Sequence, residues 1–392
     1  MIHTLSHHET LRKGMLALVL IISFLLIWFF QIPHVTRSSF AVSDVTRNTL
    51  DAPLYEETFV SKEKTRKAHA ASAFALNNKL VAFWYGGSEE GAGDVKIYRA
   101  IFEAGAWGNA AAQLGPAKVT QDLGRFVRKV GNPVGFRHAD GRVWLFFVSV
   151  SVGGWAGSSI NLVESNDQGR NWGKVKKLVT SPFLNLSTLV RNPPFYFQDG
   201  TIGLPVYHEF IGKFGEILRL DTDARIIDKI RLSEGSYSLQ PVIVPASNSH
   251  AMGLMRYAGE PPMRLLEFET TDGGNNWSQP AKSKVANPNA AIAAVYIGND
   301  KILAVVNDST MGRSSLSLAI TDTQRGWKVI HALEFEDVSP ASHEYEYSYP
   351  AITRNRTGLF DLLYSWNHQS IKHIRFNDAW LENKIVAAGE SW

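Results

Sequence analysis

Two segments of this chain repeat one pattern, and that repeat limits the fold more than any other feature. Residues 165–172 and 270–277 both read Ser/Thr-x-Asp-x-Gly-x-x-Trp, with Asp167, Gly169 and Trp172 in the first and Asp272, Gly274 and Trp277 in the second. An eroded third copy keeps Asp322 and Trp327 but has Ile320 and Gln324 at the Ser/Thr and Gly positions. The spacing of the three aspartates fits a unit of about 52 residues, with one unmarked unit between the first two copies. Asp221-Thr222-Asp223 stands where the missing copy belongs, and Trp107-Gly108 reads as the end of an earlier degenerate one. Asp and Gly build a tight turn in which the carboxylate bonds nearby amides, and the Trp packs between strands. The flanks are strand-like at 79–84, 143–150, 302–306 and 359–364, separated by Gly, Asn and Asp turns, and long amphipathic helical periods are missing. An all-β repeat of this length predicts propeller blades, and about 330 residues of it predict six.

The 392 residues include no cysteine, which excludes disulfides, thiolate metal sites and a cysteine nucleophile. Lys+Arg 40 against Asp+Glu 37 leaves a net charge of +3 with scattered basic residues, so nucleic acid is not an expected partner. Met15 to Phe30 is apolar but for one serine and follows Arg12 and Lys13. This predicts a transmembrane signal anchor over 15–31 with residues 1–14 in the cytoplasm and the rest outside, periplasmic in a Gram-negative bacterium. A cleaved signal peptide is the alternative. The expected organisation continues with a linker at 32–54, the propeller at 55–382 and a tail at 383–392. The histidines do not fall at ligand spacing, so neither a metal site nor a cofactor is expected.

The repeated motifs are similar to Asp boxes, and residues from about 55 to 380 resemble the sialidase superfamily of six-bladed propellers. In that family three arginines grip the substrate carboxylate, as planar guanidinium forks suit. A tyrosine activated by a glutamate is the nucleophile and an aspartate the acid/base, an exception to the two-carboxylate scheme. Arg256, ending a strand before the second box, resembles the second arginine. Arg313, before the strand entering the third, resembles the third. The position of the first arginine holds His69, a weaker and pH-dependent anchor. Tyr347 in Glu346-Tyr347-Ser348-Tyr349-Pro350 resembles the nucleophile, with Tyr349 as runner-up. The activating glutamate falls at Gln240, whose amide cannot take a proton from tyrosine. Glu344, Glu346 and Glu209 are possible substitutes.

The Gly-rich acidic loop from Tyr85 to Asp94 lies where the family presents its acid/base, so Glu90 or Asp94 is a candidate general acid with a raised pKa. Arg191, His208 and Glu209 flank a third-blade strand and are further candidates for the channel. The Tyr85–Asp94 loop, Asn132-Pro133, Asn287-Pro288-Asn289 and the Tyr-Ser-Tyr-Pro segment together resemble the sialidase-like repeat proteins of bacteria and plants. The resemblance implies a membrane-anchored exo-glycosidase acting on an acidic sugar, sialic acid or uronate, in a surface or exported oligosaccharide or polysaccharide. Two alternatives stay open. One is a polysaccharide lyase in which His69 or His208 with Tyr347 abstracts a proton beside an arginine-neutralised uronate. The other is a non-catalytic propeller that binds glycan or scaffolds an assembly, as fold alone does not fix function.

Overall fold

Six antiparallel sheets account for all the strands of the computed structural model. It describes residues 2–30, 38–42, 45, 47–48, 51–60, 65–181, 185–235, 237–322, 326–338, 344–355 and 357–391, with side chains in the first helix given for 11–25 and that of Asp322 left out. The chain divides into two units, Met1–Arg37 and Ser38–Trp392.

The first unit holds one helix, Ile2–Phe30. Its described side chains are exposed all round, Met15 at 63% and Leu20 at 64% among them. Among the described residues no helix is long and apolar enough to cross a membrane. The transmembrane span expected over 15–31 is therefore not supported at the level of the fold; part of that range lies outside the described residues.

In the second unit each blade begins with its innermost strand: Lys67–Leu76, Lys129–Arg137, Thr188–Val190, Ser238–Pro245, Ala293–Gly298 and Tyr347–Arg354. The innermost strands of blades 1, 2 and 4 are mostly buried because both faces meet protein, yet they carry polar residues such as His69, Asn132 and Gln240. The second strands are the most apolar. Val143–Val150 is buried at every position, with Trp144, Phe146 and Val148 packing toward blade 3 and Leu145 and Phe147 toward blade 1. The sixth blade is closed by the start of the chain: Tyr55–Phe59 pairs antiparallel with Ser370–Asn377, Tyr55 opposite Phe376 and Phe59 opposite Lys372. This ties the start of the chain to its last blade and closes the ring, each blade keeping one short outer edge.

The marked turns sit where third strands give way to fourth. Asp167 Oδ1 accepts from the amides of Arg170 (3.0 Å) and Asn171 (2.8 Å) and from Ser165 Oγ (2.7 Å), and Asp272 repeats the arrangement with Asn275, Asn276 and Thr270. Asp221 fills the equivalent turn in blade 3, accepting from the amides of Asp223 and Arg225, so the missing copy keeps its carboxylate and loses its Trp. The Asp322 side chain and Gln324 of the third copy lie outside the described residues, while Trp327 donates to Glu267 at 2.6 Å.

Residues 38–42, expected in a polar tether, are docked on the propeller. Phe40 is fully buried among Phe195, Phe197 and Phe268, and its backbone bonds Asn248 at 2.8 Å. Gly274 (φ +88°) admits it, because a Cβ there would lie 2.9 Å from the Phe40 ring. At the other end, Asp378–Ala387 forms a helix capped by Asn377 and buries Leu381 and Ile385, so the expected tail is partly core.

Candidate active site

The channel is shaped by one defect repeated on the innermost strands. Between His69 and Ser72, Gly131 and Val134, Leu239 and Val242, and Ser348 and Ala351, the inner strand carries one residue more than its partner. At each bulge one residue takes a left-handed backbone: Ala70 (φ +52°), Asn132 (+46°), Gln240 (+55°) and Tyr349 (+54°). In three of the four the next residue is proline, Pro133, Pro241 or Pro350, which has no N–H to leave unpaired where the ladder is broken. Bulges of this kind re-aim side chains. Here Asn132 and Gln240, from blades 2 and 4, both reach the Tyr207 hydroxyl of blade 3, at 3.2 and 3.4 Å. In blade 3 the run Arg191-Asn192-Pro193 interrupts the inner strand, and Asn192 donates to the carbonyls of Gln240 and Pro241 at 3.0 Å each.

The Tyr349 bulge meets the His69 bulge. Their rings lie 4.4 Å apart, His368 stacks on the other side of His69 at 4.5 Å, and Tyr85 meets it edge-on at 5.6 Å. Arg191 lies 5.2 Å from the Tyr349 ring and donates to the Pro350 carbonyl at 2.9 Å. Burial, the neighbouring His368 and the charges of Arg313 and Arg191 hold the His69 pKa well below 6.5 against the pull of Glu346, so its imidazole is neutral. Its Nδ1 is buried and has no hydrogen-bond partner, as is Nε of Arg191. Burial also lowers the Arg191 pKa, to about 10, and raises the Tyr85 and Tyr207 hydroxyls.

A chain of charges runs round the same mouth. Arg313 bonds Glu346 at 3.0 Å, and Glu346 bonds His368 at 2.9 Å. Burial opposes ionisation of Glu346, but the His368 bond and the Arg313 charge outweigh it and hold its pKa far below the usual range. Arg313 also donates to the Asn289 carbonyl at 3.0 Å, and Arg256 donates to the Asn289 side chain. The two arginines matched by sequence thus bracket one asparagine. Beside Arg256 lies Glu209, whose pKa is raised by burial. A cavity of about 400 Å³ opens here, lined by Lys67, His69, Tyr85, Glu89, Glu90 and His368. Behind the mouth the channel narrows to a waist of about 20 Å³ past Arg191 and Asn192, room for about one water.

Several expected residues are placed elsewhere. Tyr347 alternates away from the mouth: it is 1% exposed, packs in the core between blades 5 and 6, and donates to Glu336 at 3.3 Å. Period-2 alternation alone leaves Tyr347 and Tyr349 on the same face; the extra residue at the bulge is what sets Tyr349 against His69. Asp94 is exposed and accepts from the Ser88 amide and hydroxyl, both at 2.9 Å; these bonds lower its pKa. It caps its own loop and does not have the raised pKa a general acid needs. Glu89 and Glu90 are the acids of that loop that line the cavity, and Glu90 is the one beside Tyr85. His208 bonds Glu216 at 2.8 Å and stacks on Phe214 at 4.3 Å, which ties it to the blade edge. Sequence reasoning did not single out Tyr85, Asn132 or His368. The recurrent Asn/Gln/Tyr-Pro pairs in strands were the signal available for the ring of bulges.

The histidines that are scattered in sequence do converge. Ligand atoms of His69, Glu346 and His368 lie within 4.8 Å of one another, a geometry open to a metal. Arg313 on Glu346, and Arg191 near His69, bring positive charge to the same spot and oppose a cation there.

Fold and site define a six-bladed, sialidase-like propeller with its functional groups at one end of the channel. The chain belongs to the BNR repeat-like domain family, which matches residues 78–362. Among solved structures it is similar to the Hadza microbial sialidase Hz136 (TM-score 0.64, 14% identity, 79% of this chain and 65% of that one). It is likewise similar to Trypanosoma rangeli sialidase (0.65, 14%, 86% and 62%). A Dyadobacter fermentans protein of unknown function matches over 82% of this chain and 98% of its own (0.64, 11%). This chain spans less than two thirds of either sialidase. Among curated proteins nothing matches the sequence.

Proposed function

We propose that the protein is a glycoside hydrolase that acts on an acidic sugar and uses Tyr349 as its nucleophile. The observation that carries this reading is the contact of Tyr349 with a neutral, buried His69 across the channel mouth. His69 takes the phenolic proton as the Tyr349 oxygen attacks the anomeric carbon. Glu90 or Glu209 protonates the leaving oxygen, and water then releases the sugar from Tyr349. Arg256 and Arg313, set either side of Asn289, bind the substrate carboxylate. The test is turnover of a fluorogenic sialoside beside a panel of uronate polysaccharides. Loss of any observed cleavage in Tyr349→Phe and Arg313→Ala supports the reading; unchanged cleavage in Tyr349→Phe sinks it.

One observation favours a lyase as second reading. Among the described residues no carboxylate hydrogen-bonds the Tyr349 hydroxyl, whereas a neutral imidazole lies beside it. In a lyase, His69 or Tyr349 removes the proton beside an arginine-bound uronate carboxylate, the C=C bond forms as the glycosidic C–O bond on the next carbon breaks, and a proton from the mouth goes to the departing sugar oxygen. The ultraviolet absorbance of that C=C bond in the product separates the two chemistries. We further propose that Ile2–Phe30 attaches the propeller to a membrane with the propeller outside. Release by alkaline carbonate washing of membranes argues against this.

A further inference from the structure

Among the described residues outside the N-terminal helix, ten large apolar side chains are exposed, and nine of them stand at one end of the propeller. The tenth, Val386, is on the C-terminal helix. That end is the one bearing the channel mouth, where second strands finish and innermost strands begin. Phe126 (65% exposed) and Tyr237 (54%) precede the innermost strands of blades 2 and 4. Val152 (79%), Phe210 (62%) and Ile211 (74%) sit on the loops that follow the second strands of blades 2 and 3. Backbone contacts knit these loops into one arc: Ser151 donates to the Phe126 carbonyl, Glu209 N bonds Ser187 Oγ at 2.9 Å, and Ser238 N bonds the Lys213 carbonyl at 3.2 Å.

Charge divides the same face in two. The arc over blades 2–4 carries Arg125, Arg128, Lys129, Lys177 and Lys213 against Glu209 and Glu234. Two of its cations lie over aromatic rings, Lys129 over Trp155 at 4.2 Å and Lys213 near Tyr237 at 5.9 Å. The other half, over blades 5, 6 and 1, is mixed but acidic in balance, with Asp308, Glu336, Asp337, Glu89, Glu90 and Asp94 against Lys67, Lys96 and Arg313. Apolar tips on separate loops, backed by Lys, Arg and ring side chains, match the boundary between headgroups and acyl chains. A protein partner is met by a packed, continuous patch instead.

We propose that the arc over blades 2–4 docks on an anionic phospholipid surface, the apolar tips entering it and the basic residues meeting the headgroups. The acidic half tilts away from the lipid and leaves the cavity at His69 open toward the surface. Docking stands on the distribution of side chains alone. Only the corollary, that the substrate is a lipid-linked acidic glycan, rests on the catalytic reading above.

The absence of cysteine makes a single introduced thiol a unique label site in the full chain. Nitroxides are placed at Val152→Cys and Phe210→Cys, with Asp223→Cys on the opposite end as control, so any contribution of the N-terminal helix is common to all three. In phosphatidylglycerol vesicles the two mouth labels are expected to gain accessibility to oxygen and lose it to a water-soluble nickel chelate, while Asp223→Cys stays water-like. Reversing Arg128 and Lys213 to Glu, with the thermal midpoint unchanged, is expected to return both labels to water. Water-like signals at 152 and 210 overturn the proposal. Equal insertion in neutral phosphatidylcholine vesicles overturns its anionic selectivity. Because no step reads turnover, an inactive enzyme leaves this result intact.

Discussion

The marked Asp-box turns and the channel mouth handle polar groups in opposite ways. At the Asp-box end every lone pair in use is answered within a few residues: the Asp167 carboxylate takes two amides, a hydroxyl and the Asn171 side chain. At the mouth, His69 Nδ1, Arg191 Nε and Gln240 Oε1 are buried without partners, Gln240 itself and Ala70 beside His69 holding positive φ; His138 Nε2 and Trp144 Nε1 are unpaired at the other end, outside the marked turns. Native interiors leave few such groups, and the exceptions gather where function requires them. The Asp-box end therefore reads as the part that makes the blade, and the mouth as the part held ready for a ligand.

If that division holds, a substitution at the mouth changes activity more than stability. The largest expected effect is in Tyr349→Phe, which removes only a hydroxyl and should lower kcat at least about a hundredfold. Tyr347→Phe, two residues away on the same strand, should leave turnover nearly unchanged, since its buried ring turns its hydroxyl to Glu336 and not to His69. Steady-state rates on whichever acidic substrate the wild type cleaves compare the two. Equal losses would merge the two tyrosines into one role.

The same contrast explains what the sequence made legible. Asp boxes act through residues at most seven positions apart, so a short motif carries their whole geometry, and six blades follow from their period. Arg256 and Arg313 could be placed because each precedes one of two successive boxes. The mouth is assembled from blades far apart in sequence, and His69, Tyr349 and His368 meet only after the ring closes. A bulge of one residue then decides which tyrosine faces the channel. The docking of Phe40 was also hidden, because a lone apolar residue in a polar stretch gives no periodic signal.

The converse substitution is Phe40→Ala, against the second Asp box. It deletes a fully buried ring and is expected to cost about 3–5 kcal/mol, read by urea unfolding, with kcat of the folded protein unaltered. A loss of activity without a loss of stability would break the division from the other side.

The stored cost at the mouth should be visible in pH dependence. His69 titrates well below 6.5 in the folded chain, so on falling from pH 6.5 the unfolded state takes up the proton first. Stability then declines with falling pH, by up to about 1.4 kcal/mol per pH unit for this one group. His331 is also held low and adds the same sign. Glu346, whose pKa is depressed, contributes its loss only as pH falls through 4.5 and below. His69→Gln should flatten the slope between pH 6.5 and 5 in urea titrations and leave the acid limb in place. An unchanged slope would mean that the buried imidazole is not costly where it sits.

The smallest expected effect separates the two acids of the loop at the mouth. Asp94 bonds its own turn through Ser88, in the manner of the Asp-box carboxylates, although it lies at the opposite end of the blade. Asp94→Asn keeps an oxygen for the Ser88 amide and turns its NH2 to donate to the Ser88 hydroxyl, and should change kcat by no more than about twofold. Glu90 lines the cavity with His69 and lies close enough to Tyr85 to raise its pKa, so Glu90→Gln removes a proton donor from the site itself. Its kcat should fall about tenfold or more if Glu90 is the general acid. If Glu90→Gln is silent as well, Glu209, held protonated to higher pH by burial beside Arg256, takes that place. Glu209→Gln should then abolish the basic limb of the pH–rate profile. In either case the acid is one that faces the mouth, and the residue held by its own turn is not.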